Sequence, residues 1–535
     1  MKQKGSLLQL RSFFLFRWEG SRGDVLLRAF LFITVLVGLN ACKTTQPLTQ
    51  LKDDGKISFK FIQLNDVYEI APLSGGKYGG LARVAHVVDS IRSVEPNTYM
   101  FMAGDFLNPS LLGTVKMDGE RIRGRQMIEV MNAMDFELVT FGNHEFDLSE
   151  ADLQKRMNES NFYWTSANVF QNTKDGPHSF SFQRDNDSIF VPETYTISMM
   201  DADSTQIDVG LFSVTLDSNP QDYVYYADPF LEAESAYTRL QMQRADVIVG
   251  LTHLEVEQDI KLAHRFPDIA LIMGGHEHNN MLVPAGNGIV AKADANAKTI
   301  YIHTITFDKQ TQKVKIDSHL MPIDESIPSK PEVKVIVDQW NAVLNAKIRE
   351  VVANPDEVIF HAKVPLDGTD SASRGVQTNL GGYITQAMAQ SFKDTDAALV
   401  NGGSIRLDDM LTGDVTSMDV FRVLPFGGGV VKVEMKGDLL MEVLNYGKSK
   451  GGTGAYLQRH GISESAVGGW TFLSKPIEKE ATYTLALSDF LLKGYDIPFL
   501  TPEHEGIVNV YKPTENELAY DIRKAVILFL KSINQ

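Results

Sequence analysis

Five short apolar runs in this chain end the same way, each passing into a turn that carries Asp, Asn or His, and that recurrence constrains the fold more than any other feature. The runs are 59–64 before Asn65-Asp66, 99–103 before Gly104-Asp105, 138–141 before Gly142-Asn143-His144-Glu145, 247–251 before Thr252-His253, and 269–273 before Gly274-Gly275-His276-Glu277-His278. Between them apolar residues recur at helical spacing, as in Leu81, Val84, Val88 and Ile91, then Met127, Val130, Met131 and Met134. Short strands alternating with helices predict an α/β fold. In open α/β sheets ligands bind beyond the carboxyl ends of the strands, which is where these polar residues fall.

At 535 residues the chain has room for several domains of roughly 100–200 residues each. One cysteine excludes a disulfide-stapled scaffold, and a formal charge of -17 argues against a nucleic-acid polymer as partner, since phosphate backbones are held by clustered Lys and Arg. A small anionic substrate stays open wherever cations are concentrated locally.

Residues 1–41 read as a lipoprotein signal peptide. Lys2, Lys4, Arg11, Arg17, Arg22 and Arg28 precede the apolar run 29–39, which is short for a bilayer span and closes on Leu39-Asn40-Ala41-Cys42. That layout resembles a bacterial lipobox, with Cys42 acylated after cleavage before it; two or more acyl chains meet the requirement for stable anchoring. The expectation is an exported, membrane-anchored lipoprotein facing the periplasm or the cell surface, with 42–56 as a tether. A buried core segment with an incidental cysteine is the alternative.

The pattern breaks again near 321–331, where Pro322, Pro328 and Pro331 interrupt it. Ser329-Lys330-Pro331-Glu332 has the form of a capping box, and Val333, Ile336, Trp340, Val343, Ile348 and Val351 follow at helical spacing. The chain therefore divides into a first domain at 57–325, a linker helix within 326–355 and a second, mixed α/β domain at 356–535.

Singly, an Asp after a strand is a turn or cap residue and a His is a hydrogen-bonded surface residue. As a set, Asp66, Asp105, Asn143, His253, His276 and His278 combine carboxylate oxygens with imidazole nitrogens at one sheet edge, a mixture suited to Zn, Mn or Fe rather than Ca. Two divalent metal ions would need a bridging carboxylate, for which Asp105 is the candidate. His144, one residue past a ligand, is then available to donate a proton to a departing oxygen, with Asp147 holding its ring. A helix N-terminal cap is the competing role for His144 and Asp147.

This ordered set of motifs resembles the 5′-nucleotidase family of calcineurin-like metallophosphoesterases, through LNDVYE at 64–69, GD at 104–105, GNHEFD at 142–147, TH at 252–253 and GGHEH at 274–278. The resemblance implies a four-layered αββα metallophosphatase domain, metals at the six residues above, and His144 with Asp147 as catalytic dyad. One departure stands out: the family's Asp-x-His reads Asp66-Val67-Tyr68, so Tyr68 either binds as a phenolate or leaves a water in that place.

From 356 onward the resemblance is to the family's nucleotide-specificity domain, an α+β unit, through Asn379-Leu380-Gly381, Asn401 to Arg406, Val423 to Gly427, Ser488-Asp489-Phe490 and Gly494-Tyr495-Asp496. It implies that Phe426 and Phe490 sandwich the base; stacking is worth about 1–3 kcal/mol per base and tolerates any base. Arg374 and Arg406 offer planar forks for phosphate or carboxylate oxygens, Asn401 could bond the base and Asp496 a ribose hydroxyl. The family's Gly-Gly-Asp-Gly is Gly494-Tyr495-Asp496-Ile497 here, which alters the loop beside the sugar. The function expected is metal-dependent hydrolysis of nucleotide phosphomonoesters. A cyclic-nucleotide phosphodiesterase or nucleotide-sugar hydrolase on the same scaffold is the enzymatic alternative, and a nucleotide-binding lipoprotein with a metal site impaired at Tyr68 is the non-enzymatic one.

Overall fold

The computed structural model describes residues 53–534, apart from 185–186, 219 and 466–467. The expected signal peptide, residues 1–41, and Cys42 lie outside the described residues.

Strands β1 (Lys56–Leu64), β2 (Thr98–Met102), β3 (Leu138–Thr140) and β4 (Tyr163–Thr165) run parallel in that order. A second sheet follows from β5 (Thr194–Met200), β6 (Gln206–Phe212), β7 (Val247–Thr252), β8 (Ile269–Gly274), β9 (Met281–Ala285) and β10 (Gly288–Lys292), in spatial order 5-6-7-8-10-9. Its middle four strands are parallel and its two edge strands antiparallel. The chain then returns to the first sheet as β11 (Thr299–Asp308) and β12 (Lys313–Pro322), antiparallel beside β1.

Alternation along the strands dictates the layering. Phe59, Phe61 and Phe101 point one way and pack against Val209, Val249 and Leu271 of the opposite sheet, filling the space between the sheets. Ile62, Leu64, Met100 and Met102 point the other way, onto the helices Leu81–Arg92 and Arg125–Asn132. On the far sheet, Phe212, Ile248 and Ile272 meet the helices Pro229–Met242 and Val256–Arg265. The result is helix, sheet, sheet, helix, with β1, β2, β3, β7 and β8 delivering their carboxyl ends to one edge.

The linker helix spans Pro331–Ile348. Its N-cap is Lys330, without a side-chain cap bond, so Ser329 does not close the capping box that the sequence pattern suggests. Pro331 decides this: lacking an N–H and fixed near helical φ, it fits the first helical position and moves the cap to the residue before it. Val333, Val337, Trp340 and Leu344 share one continuous core with residues of both flanking segments, and the Trp340 indole donates to Glu129 Oε2 at 2.9 Å.

The second segment holds a mixed five-stranded sheet, in the order Leu457–His460, Ala398–Asn401, Thr482–Ser488, Val430–Lys436, Ile507–Tyr511. The helices Asn379–Gln390 and Ile522–Ile533 cover one face and Gly437–Ser449 the other.

Candidate active site

The loops beyond β1, β2 and β8 adopt strained backbone at the residues that matter. Asp66, Asp105 and His276 sit at φ 52, 56 and 83, in the left-handed region. Such positions cost on the order of 1–3 kcal/mol each and persist only when their surroundings over-determine them. Glu145 supplies part of that determination, its carboxylate accepting the backbone N–H groups of Asp105, Phe106, Leu107 and Gly142 at 2.9, 2.8, 3.0 and 2.6 Å. Burial, and then Asp105, push the Glu145 carboxyl up, while these N–H groups pull it down. Close approach explains two glycines: a Cβ on Gly142 would stand 2.1 Å from Asp105 Oδ1, and one on Gly275 would stand 2.2 Å from the Ala103 carbonyl.

The donor atoms gather around Asp105. Its Oδ2 lies 3.2 Å from His253 Nε2 and 3.3 Å from Tyr68 Oη, while its Oδ1 accepts the His144 N–H at 2.8 Å. Asn143 Oδ1 stands 3.2 Å from His253 Nε2. The His253 Nδ1 bonds the Ala103 carbonyl at 2.8 Å, which leaves Nε2 to face the cluster. Asp66 Oδ1 lies 3.5 Å from His278 Nε2 and 4.0 Å from His253 Nε2, and is buried without a hydrogen-bond partner. Its other oxygen accepts from Asn65 Nδ2 at 2.8 Å and from the His276 N–H at 3.0 Å.

An orphaned, buried carboxylate oxygen is costly unless something positive meets it. Burial alone would push the His253 imidazole down, yet Asp105 and Asp66 carry it up to about 9, so this framework draws cations inward. Asp66, Asp105 and His253 offer three ligand atoms within 4.8 Å of one another. The donor set therefore fits divalent metal.

His276 and His278 part company. The His276 ring is half-buried and turned to Glu255 Oε1 at 3.3 Å, edge-on to His253 at a centroid distance of 5.4 Å. His278 Nε2 faces Tyr68 Oη at 3.1 Å. Burial and the neighbouring carboxylates Asp105 and Asp66 push the Tyr68 phenol well above its ordinary value.

His144 and Asp147 share one 3₁₀ turn, with Nδ1 of the imidazole 2.8 Å from Asp147 Oδ2. Burial opposes a charge on His144, but Asp105 and Asp147 outweigh it and bring the ring up to about 10. Asp147 Oδ2 also accepts from Asn108 Nδ2 at 2.7 Å and from Arg406 Nη2 at 2.9 Å. Burial works against the Asp147 charge, yet His144 and Arg406 hold its carboxyl below the usual range.

Of the other residues expected to meet substrate, Arg374 is paired with Asp370 at 2.9 Å, and its Nε is buried without a partner. Asn401 Nδ2 donates to Asp496 Oδ2 at 2.7 Å, so these two residues act together. Phe426 is 58% exposed, rather than a core residue, and Phe490 is half-buried against Tyr495 at a centroid distance of 5.7 Å.

Three residues that shape the site escaped the sequence reading. Glu145 lies inside a recognisable motif, yet its role is a loop anchor 40 residues from the N–H it holds in Asp105. Lys292, fully buried, donates to the carbonyls of Leu254 and Gly275 at 2.6 and 2.8 Å and pairs with Asp259 at 2.9 Å and with Glu277. It thereby fastens the residues flanking His253 and His276, and its one sequence signal is a cation closing an apolar strand. Asp408 touches His278 from the second segment, and nothing in its local pattern announces that.

Residues 59–280 match the family model for calcineurin-like phosphoesterases, and residues 358–501 match that for the 5′-nucleotidase C-terminal domain. A trifunctional nucleotide phosphoesterase of Bacillus subtilis is 27% identical over 477 residues, which cover 78% of this chain and 31% of that one. The chain thus spans about a third of that relative's length. A 5′-nucleotidase of Vibrio cholerae is 24% identical over 547 residues, covering 91% and 93% of the two chains. The crystal structure of a 5′-nucleotidase precursor from Thermus thermophilus shares the fold, with TM-score 0.63, 23% identity, and 89% and 97% of the chains covered.

Proposed function

The chain belongs to the 5′-nucleotidase family, with a calcineurin-like phosphoesterase domain followed by a 5′-nucleotidase C-terminal domain, and on that premise we propose that it hydrolyses nucleotide phosphomonoesters, 5′-monophosphates above all. The observation that carries the reading is the meeting at Asp147, whose Oδ2 receives both His144 and Arg406. A proton donor from one domain and a phosphate-type cation from the other share a single carboxylate oxygen.

Calcineurin-like metallophosphoesterases use two divalent metal ions. Asp66, Asp105, Asn143, His253, His276 and His278, with Tyr68 beside them, would hold such ions, Zn, Mn or Fe by donor type. Bound there, the metals supply Lewis-acid charge stabilisation and activation of the attacking water.

The chain's own residues do the rest. His144, paired with Asp147, donates to the ribose oxygen as the phosphorus–oxygen bond breaks. Asp147 holds the ring through Nδ1, so Nε2 carries the proton that moves. Arg406 and Arg374 receive the anionic oxygens as planar forks, Phe426 and Phe490 take the faces of the base, and the Asn401–Asp496 pair meets base edge and ribose.

The experiment is phosphate release from AMP, other 5′-nucleotides, cyclic nucleotides and a nucleotide sugar, with Mn or Zn present, beside His144→Ala. Turnover of monophosphates that collapses in the variant supports the reading. Nucleotide binding without turnover of any of them would replace it with the binding protein.

The cellular setting extends the proposal: residues 1–41 direct export and Cys42 carries the lipid anchor. Among the described residues no helix is long and apolar enough to cross a membrane. Labelling with a radioactive fatty acid, lost in Cys42→Ser, tests this.

A further inference from the structure

The first metal position departs from the family at Tyr68, and the structure places an unforeseen carboxylate beside it. Asp408 lies two residues past Arg406, at φ 46, and approaches His278 twice. Its backbone carbonyl accepts the Nδ1–H of His278, and its Oδ2 stands 3.4 Å from His278 Nε2. The other carboxylate oxygen is engaged, accepting the Asp370 N–H at 2.8 Å, so Oδ2 alone is directed at the cluster.

Around His278 Nε2 three oxygens converge: Tyr68 Oη at 3.1 Å, Asp408 Oδ2 at 3.4 Å and Asp66 Oδ1 at 3.5 Å. Donors about 2.0–2.2 Å from one zinc ion in its tetrahedral arrangement stand about 3.4 Å apart, close to this spacing. Asp66 Oδ1, buried, faces only the His278 and His253 imidazoles, at 3.5 and 4.0 Å. A neutral phenol is a poorer donor than an imidazole, and a carboxylate restores the donor count. Asp408 does not owe its position to His278 alone, because Lys298 of the first domain pairs with the adjacent Asp409, and Lys77 pairs with Asp414 at 3.0 Å.

We propose that the Asp408 carboxylate completes the metal position that Tyr68 leaves short, so that one metal ion is held by both domains. The inference rests on the two-metal reading above. It makes metal affinity and the seating of the second domain reciprocal: metal favours the seated domain by the same factor by which seating raises metal affinity.

The test is metal binding by the full chain, measured as Mn or Zn affinity and stoichiometry by calorimetry, with phosphate release from AMP recorded separately. Asp408→Asn keeps the backbone carbonyl and the shape but removes the anion; one of two sites should weaken by tenfold or more. Tyr68→His combined with Asp408→Asn should regain that affinity, since the imidazole returns. Asp409→Asn, which removes the ion pair to Lys298 but leaves the Asp408 carboxylate in place, should weaken the metal clearly less than Asp408→Asn does. Two sites of unchanged affinity in Asp408→Asn, a double variant as weak as the single one, or an equal loss in Asp409→Asn would each overturn the proposal. A wild-type chain that binds two metals but hydrolyses no nucleotide would defeat the functional reading and leave this inference to stand on the affinities.

Discussion

Arg406 Nη2 and Asp147 Oδ2 lie 2.9 Å apart across 259 residues of chain, and the same oxygen receives His144 Nδ1 at 2.8 Å. A cation of the C-terminal segment thus joins the His144–Asp147 pair. Replacing Arg406 by Ala should lower kcat/KM for AMP by roughly 10²–10³, the scale of losing a preorganised charge-assisted donor. Arg406→Lys should recover little of it, because an ammonium lacks the planar fork. Steady-state kinetics of both variants check this, and full activity in Arg406→Ala would exclude the role.

His144→Ala should reduce kcat by about 10²–10⁴, the usual worth of a positioned general acid, with KM changed far less. Asp147→Asn should also lose activity, since the amide can no longer support the imidazolium. A kcat within threefold of wild type in either variant argues against the dyad.

Base stacking gives a prediction that separates recognition from chemistry. Phe426→Ala and Phe490→Ala should each raise KM for AMP by about 5- to 150-fold, the equivalent of 1–3 kcal/mol. Turnover of ribose 5-phosphate, which has no base, should be unaffected in both.

Lys292 is buried among two carboxylates and two carbonyls beneath the His253 and His276 loops. Lys292→Met should destabilise the chain by about 3–5 kcal/mol, because it strands Asp259 and Glu277 without their cation. Urea denaturation measures the loss; a change below about 1 kcal/mol would mean that the pair relaxes without it.

His303 carries a pH prediction away from the metal cluster. It is buried between Ser318 Oγ at 2.8 Å and Gln63 Oε1 at 3.0 Å, and burial pulls its ring down to about 3. The folded chain therefore keeps this ring neutral where the unfolded chain, titrating near about 6.5, takes up a proton. The stability it contributes is complete above that unfolded value and is lost as the pH falls toward 3. Between pH 8 and pH 5 the wild-type chain should lose about 2 kcal/mol more than His303→Asn. Parallel stability curves for the two chains would contradict the assignment.

What the sequence determined by itself was local. Each of the five apolar runs became a strand ending within a residue or two of its expected limit, as 247–251 became Val247–Thr252. Alternation and turn residues suffice there, since they act over a few positions of chain. Local pattern also reached its limit at Ser329, where Pro331 outweighed a capping box. The ordered motifs similarly pointed to Asp66, Asp105, Asn143, His253 and His144 at one edge, because strands of a sheet with parallel neighbours bring their carboxyl ends together.

Only the tertiary structure decided what meets what. That Glu145 anchors the Asp105 loop, that Lys292 fastens two histidine loops and that His276 turns to Glu255 depend on packing between separate strands and helices. So does the arrival of Arg406 and Asp408 at Asp147 and His278. These contacts join residues tens to hundreds of positions apart, where no periodicity links one partner to the other. Their distances are set by how two sheets, a linker helix and a second domain share one core, and that is a property of the folded chain.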